Sequence, residues 1–283
     1  MDFLDELQHR VLPGDGAMGT ELWAAGVPRT ACLEELCVSA PGTVRAVHEA
    51  YVGAGARVIE TNTFGANAVR LARHGHEHRV GEINWSAAQL AKDVAKGKGV
   101  YVAGSVGPLG ISAAEAEAQG IDRHEVFTDQ IGALLDGGCN LIFFETFLDV
   151  DELLIALHAK QSLHHCPAVA LLPLIDPAAL YAAWAKLRAA DADVVGFNCL
   201  APFTLHTTDP GPLAAFPNAG TPCEEGDRLN YPLSPADFAA AGQALAALGV
   251  RLIGGCCGTG PRHIAALVAA LSPNRDEATD GHG

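Results

Sequence analysis

Three cysteines carry the most chemical information in this chain. Two are adjacent in Gly254-Gly255-Cys256-Cys257-Gly258, and the third, Cys199, ends the apolar run Val194-Val195-Gly196-Phe197-Asn198-Cys199. Three thiolates converging from two strand ends would make a zinc site with one coordination position open, suited to binding and activating another sulfur. Neighbours inside a regular strand point to opposite faces, so Cys256 and Cys257 share one ion only where the strand ends and the backbone bends. Gly254, Gly255 and Gly258 permit such a bend. Alternatively, the three are small apolar side chains in a core, where free cysteine is often buried.

Carboxylates and small polar residues recur in similar settings. Asp15 lies in Gly14-Asp15-Gly16-Ala17-Met18-Gly19-Thr20, Glu60 and Asn62 in Glu60-Thr61-Asn62-Thr63-Phe64, Ser105 in Gly104-Ser105-Val106-Gly107-Pro108, and Glu145 in Phe143-Phe144-Glu145-Thr146-Phe147. Each follows or ends an apolar run, so a barrel would gather them at one mouth. A carboxylate after two phenylalanines is expensive to bury without a positive partner, and a substrate ammonium would supply one. The competing assignment has Asp15 capping a turn and Glu145 paired with an Arg or Lys. His74, His76 and His78 alternate around Gly75 among charged neighbours, which suits a solvated loop better than a dedicated metal site. Cys32, Cys37, Cys139, Cys166 and Cys223 read as unpaired small residues.

Holding these groups together requires several strand ends on one side of one sheet. Strand-like segments occur at 11–17, 57–64, 100–108, 140–147, 168–174, 193–199, 212–218 and 250–256. They are continuous apolar runs rather than alternating ones, as expected of parallel strands covered by helices. Between them, Asp149 with Glu152 resembles a capping box, and Ser234-Pro235 places an N-cap before a first-turn proline. Apolar stripes occur at Val44, Val47 and Tyr51, at Leu180, Trp184 and Leu187, and at Phe238, Ala241, Leu245 and Leu248, the last closed by Gly249. The pattern predicts an α/β chain: a single (βα)8 TIM barrel over 1–271, with a polar, disordered tail at 272–283. The segments 200–211 and 219–231 lack helical period and read as long loops at the mouth.

Composition agrees. The 283 residues are 49% hydrophobic, enough for one large core. A formal charge of −15 disfavours nucleic acid and anionic membranes as partners, since both reward clustered Lys and Arg. The N-terminus shows no leader pattern and no apolar stretch approaches the ~18 residues that span a bilayer, so a cytoplasmic address is expected. There the eight cysteines stay reduced, and clustering favours metal binding over disulfides.

Taken together, these motifs resemble the zinc-dependent homocysteine S-methyltransferases. The resemblance rests on the motifs at Asp15, Glu60, Glu145-Thr146, Gly196-Phe197-Asn198-Cys199, Pro217-Asn218-Ala219-Gly220 and Gly254 to Thr259, in the family's order, and covers about residues 12–271. It implies a (βα)8 barrel in which Cys199, Cys256 and Cys257 hold zinc and Asp15 and Glu145 hold the amino group of homocysteine. Backbone N–H groups around Gly16, Ala17, Met18, Gly19 and Thr20 would take the substrate carboxylate, which suits a glycine-rich turn opening a helix. Asn62, Ser105 and Asn218 are weaker candidates for substrate contact. The implied chemistry is methyl transfer to the homocysteine thiol, giving methionine. A zinc ion already bearing three thiolates is a poor activator of water, which disfavours a hydrolase.

Members of the family take methyl groups from methylcobalamin, methylfolate-linked systems, betaine or S-methylmethionine. The opening motif and Glu-Thr-Asn-Thr-Phe look closest to the homocysteine-binding domain of cobalamin-dependent methionine synthase, and the betaine-using enzymes are similar as well. With 283 residues there is no room for folate or cobalamin domains, so the expected donor is a small molecule or a separate corrinoid- or folate-binding protein. Alternative functions are methylation of another thiol or selenol, or a catalytically silent zinc- or amino-acid-binding protein.

Overall fold

Short apolar segments become strands here because both their faces are covered, one by the barrel interior and one by helices. The computed structural model describes residues 2–163, 165–173, 176–200, 211–225 and 228–272. Its strands are β1 (Leu12–Pro13), β2 (Val58–Glu60), β3 (Tyr101–Val106), β4 (Leu141–Phe144), β5 (Ala168–Leu172), β6 (Val194–Asn198), β7 (Leu213–Phe216), β8 (Cys223–Glu225), β9 (Arg228–Asn230) and β10 (Val250–Ile253). Eight of them form one parallel sheet in the order β1-β10-β7-β6-β5-β4-β3-β2. A parallel bridge from Gly14 to Val58 and the Arg57 N–H donated to the Pro13 carbonyl at 2.8 Å join its two edges. The expected single-domain (βα)8 barrel is therefore present, with every expected strand segment contributing one strand.

Each strand is shorter than its apolar segment. The ladder stops where the chain turns to build the mouth: β2 ends at Glu60, and the Thr63 N–H already closes a turn onto the Thr61 carbonyl at 2.9 Å. Alternation is visible only as a choice between two buried layers. Leu12, Val58, Leu141, Phe143, Val169, Leu171, Val194, Phe216 and Leu252 pack into one cluster that fills the barrel. Ile142, Phe144, Ala170, Leu172, Val195 and Phe197 face outward into a larger cluster shared with the helices. The helix Phe3–His9 adds Phe3 and Leu7 to the interior cluster and so closes the end away from the mouth.

Most of the helical signals hold. Val44, Val47, Tyr51, Leu180, Trp184 and Leu187 are buried, and Ser234 caps the helix Pro235–Ala247 by accepting the Asp237 N–H at 3.2 Å. Two details differ. Asp149 caps Val150–Gln161, but Glu152 does not reach back to it; its carboxylate accepts the Leu109 N–H at 2.8 Å and ties the loop after β3 to the first turn of this helix. Leu248 is 45% exposed because the helix ends before it, at Ala247, and the buried face is Phe238, Ala239, Gly242 and Leu245. The segment 219–231 also contains structure that the sequence did not announce, the antiparallel β8–β9 hairpin. Residues 201–210 of the other long loop and 273–283 of the expected tail lie outside the described residues. Among the described residues no helix is long and apolar enough to cross a membrane.

One glycine is dictated by packing. A Cβ on Gly196 would sit 1.9 Å from the Ala214 carbonyl oxygen, a backbone atom that cannot move aside without breaking the β6–β7 ladder. Gly196→Ala is therefore expected to destabilise the protein by about 3 kcal/mol, the upper range for overpacking a core. A thermal melt checks this; an unchanged midpoint would contradict the packing.

Candidate active site

The C-terminal strand ends surround a cavity of about 340 Å³. Asp15 enters it from the loop after β1, Glu60 from the last position of β2, Ser105 from β3 and Glu145 from just beyond β4; Cys199 follows β6, and Cys256 and Cys257 follow β10. The sulfurs of Cys199 and Cys256 are 3.0 Å apart, and each is 3.9 Å from that of Cys257. Among the described residues this is the one group of three or more His, Cys, Asp or Glu side chains whose ligand atoms gather within 4.8 Å. His74, His76 and His78 form no such group, and His74 and His78 are exposed.

Backbone geometry explains the convergence. Cys199 leaves its strand with a left-handed φ of 56°, and the bend expected after Cys256-Cys257 is made by Gly258 at φ 79°. A Cβ on Gly258 would fall 2.1 Å from the Tyr231 ring, so that tyrosine can lie over the turn and hydrogen-bond Cys257. The Cys256 N–H donates to the Pro217 carbonyl at 2.8 Å, and the Ala219 N–H to the Cys257 carbonyl at 3.0 Å. The Pro217-Asn218-Ala219-Gly220 motif thus acts through its main chain, holding the cysteine turn. Asn218, expected as a possible substrate contact, is buried and is not among the cavity-lining residues.

The donor set fits zinc. Bonds of ~2.3 Å to tetrahedral zinc imply sulfur–sulfur edges of ~3.8 Å; the two edges at Cys257 match, and the Cys199–Cys256 edge, at 3.0 Å, must open for the ion to enter. The trio shares its charge unequally: hydrogen bonds from Cys199 and Cys256 favour the thiolate of Cys257, drawing it down to about 3, while hydrogen bonds with Cys199 and Cys257 push Cys256 well above an ordinary thiol and Cys199 is pushed up to about 12.

Among the described residues the carboxyl groups have no cationic partner in the cavity. Glu145 accepts from the Ser105 hydroxyl at 2.5 Å and from the Asn198 amide at 3.4 Å, and Asp15 accepts the Glu60 N–H at 2.8 Å. No Lys, Arg or His is among the described residues that line the cavity. Burial, opposed by the Glu60 N–H and reinforced by Glu145, holds Asp15 well above the usual carboxylate range. Glu145 is raised by burial against the pull of the Glu60 and Ser105 hydrogen bonds. These are sites in deficit of positive charge.

The glycine-rich turn is nearly as expected. Ala17 donates its N–H to the Thr259 carbonyl at 3.0 Å and is not a free donor. Met18, Gly19 and Thr20 form the first turn of the helix Met18–Ala24, where N–H groups have no intrahelical acceptor. Beside them the Thr20 hydroxyl and the Trp23 indole nitrogen are buried without a hydrogen-bond partner. Asn62 lines the cavity, but its amide donates to the Leu33 carbonyl at 2.6 Å, which makes it a brace for the 33–37 loop.

The family model described as homocysteine S-methyltransferase matches residues 12–271. This chain belongs to that family. It is 30% identical, across 96% of its length, to methionine synthase of Mycobacterium tuberculosis (strain ATCC 25618 / H37Rv), of which the match covers 25%. It is 29% identical to methionine synthase of Mycobacterium leprae (strain TN), across 97% of this chain and again 25% of that protein. The chain therefore spans about a quarter of the length of these curated relatives. Among solved structures, the metallated form of the homocysteine methyltransferase MmuM from Escherichia coli is similar at 27% identity and a TM-score of 0.72, covering 93% of this chain and 96% of that one. As a homocysteine S-methyltransferase family member the chain has its three cysteines, Asp15 and Glu145 on one cavity wall. Glu60 and Trp23, which sequence reasoning had not assigned, share that wall.

Proposed function

We propose that this chain transfers a methyl group to the thiol of homocysteine, forming methionine. The observation that carries this reading is the shared cavity: a sulfur trio whose ligand atoms lie within 4.8 Å of one another faces the same space as Asp15, buried, and Glu145, half-buried, with no cation among the described lining residues. Cys199, Cys256 and Cys257 would hold zinc, which would supply the deprotonation of an incoming fourth thiol. Asp15 and Glu145 receive the substrate ammonium, each oriented by a hydrogen bond from a neighbouring strand end. The first-turn N–H groups of Met18, Gly19 and Thr20 receive the carboxylate. With both charged ends fixed, the thiol sulfur is left to attack the methyl carbon; the new sulfur–carbon bond forms as the bond to the donor breaks, and its electron pair leaves with the donor. The thiol proton passes to solvent.

The names of the relatives, methionine synthase and homocysteine methyltransferase, support the acceptor. A methyl donor completes the reaction, and the acceptor half alone is what the cavity residues serve. A screen of the zinc-loaded protein with homocysteine and each donor class, scored by methionine formation, tests the reading. Methionine from at least one donor is the expected result. Homocysteine binding without turnover by any donor would contradict it, as would preference for another thiol or a selenol in direct competition.

A further inference from the structure

The opposite end of the barrel holds a second cavity, of about 510 Å³, and its wall is basic. Arg57 stands just before β2, Gly99 and Val100 lead into β3, and Asn140 stands just before β4, so this cavity lies at the N-terminal strand ends, away from the cysteines. Arg10 enters it from the end of the helix Phe3–His9 and Lys92 from the helix Val80–Ala95. Three cations there meet one carboxylate, Glu6, in a chain where acids outnumber Lys and Arg by 33 to 18. Three of the five lysines, Lys92, Lys96 and Lys98, fall within 92–98, the segment that runs into this wall.

The contacts show that Glu6 organises the cations without cancelling them. Glu6 is buried; its Oε1 pairs with Arg10 and with Arg57, the latter at 3.2 Å, and its Oε2 accepts the Tyr101 hydroxyl at 2.7 Å. One carboxylate thus braces two guanidinium groups and leaves one positive charge over. The Arg57 Nε is buried without a hydrogen-bond partner, so the protein alone does not satisfy that side chain. Lys92 supplies a second spare charge: its ammonium reaches the neutral Asn140 Oδ1 at 3.3 Å, an oxygen that already accepts the Val102 N–H at 2.9 Å. The main-chain N–H groups of Gly99 and Val100 donate to no acceptor among the described residues. Donors and positive charge are in excess on this wall, and acceptors are short.

We propose that this basal cavity binds a phosphate group, as the free ion or as the head of a small phosphate monoester. A phosphate dianion balances the two spare charges, and its tetrahedral oxygens suit guanidinium forks and an ammonium that converge from different elements. A single carboxylate brings one charge and two oxygens in one plane, and leaves half of the excess. The proposal does not draw on the homocysteine reading. The substrate cavity, with Asp15, Glu34, Glu60 and Glu145 on its wall and no cation among the described lining residues, repels the same anion.

Calorimetric titration of the full chain with inorganic phosphate, in a chloride buffer of low ionic strength, tests this. One saturable site per chain is the expected result. Lys92→Gln removes a charge that has no carboxylate partner, so the fold should be kept, and phosphate should bind about tenfold more weakly or worse, the loss of one charge-assisted contact. Arg10→Gln, at a side chain 54% exposed, is the second variant and should behave alike. Arg262→Gln removes an equal charge from the helix Pro261–Leu271, outside the cavity, and should stay within about twofold of the parent. Absence of saturable binding would overturn the proposal, and equal losses in Lys92→Gln and Arg262→Gln would overturn it as general charge attraction. Competition identifies the source: tighter binding of glycerol phosphate than of inorganic phosphate assigns the site to an esterified phosphate, and the reverse order to the free ion. Succinate displacing phosphate at equal concentration would overturn the choice of phosphate. None of these readouts uses homocysteine, so failure of the methyl-transfer reading would leave them standing.

Discussion

Replacing any one of Cys199, Cys256 and Cys257 by serine is expected to remove zinc and methyl transfer together. A serine hydroxyl is a harder and far less acidic donor than a thiol, and the remaining two sulfurs cannot make a closed site for zinc. Metal content should fall from one ion per chain to a small fraction of that. Activity should fall by more than about a hundredfold, beyond what losing a supporting contact around a metal costs. The fold should survive, because the sulfurs lie at the mouth and are absent from the apolar clusters that fill and surround the barrel. Metal analysis and far-ultraviolet circular dichroism on the same samples check both halves. Full zinc occupancy in all three variants would contradict the assignment.

Glu145→Gln should separate recognition of the amino acid from metal binding. The parent Glu145 is held by Ser105 and Asn198 and has no cation from the protein among the described lining residues, so its charge is free to act on the substrate. The variant should keep its zinc and bind homocysteine about 1.5–3 kcal/mol more weakly, the range for losing a charge-assisted hydrogen bond. A thiol of similar length without the amino group should be almost indifferent to the change. Equal losses for the two thiols would give Glu145 a structural task instead.

Much of this was legible in the sequence because the barrel writes its strands as separate apolar runs and ends them in polar motifs. Cys199, Cys256 and Cys257 could be grouped before any coordinates because strand ends on one side of a parallel barrel must meet. Glu60 could not be assigned a task in the same way. Its motif placed it at the mouth, but its main-chain N–H, donated to Asp15, joins two strand ends far apart in sequence, and no local pattern encodes that pairing. The structural task of the Asn218 motif was hidden for a related reason: Pro217 O and Ala219 N hold the cysteine turn, and main-chain bonds leave no trace in side-chain type. The β8–β9 hairpin, written Cys-Glu-Glu-Gly-Asp-Arg-Leu-Asn, has none of the apolar alternation that marks a strand. Leu248 kept helical period with the stripe before it, yet period alone does not tell where the last turn stops.

The central claim is that the cysteine trio receives the sulfur of homocysteine, and X-ray absorption at the zinc edge addresses it most directly. The zinc-loaded protein should show three sulfur neighbours from the protein, and saturating homocysteine should add a fourth near ~2.3 Å. Methionine, whose thioether is a much poorer ligand than a thiolate, should not add a sulfur at that distance. A sulfur count that rises by one with homocysteine is the predicted result; a count that stays at three under saturation would contradict direct capture of the substrate sulfur and leave the cysteines with a structural metal.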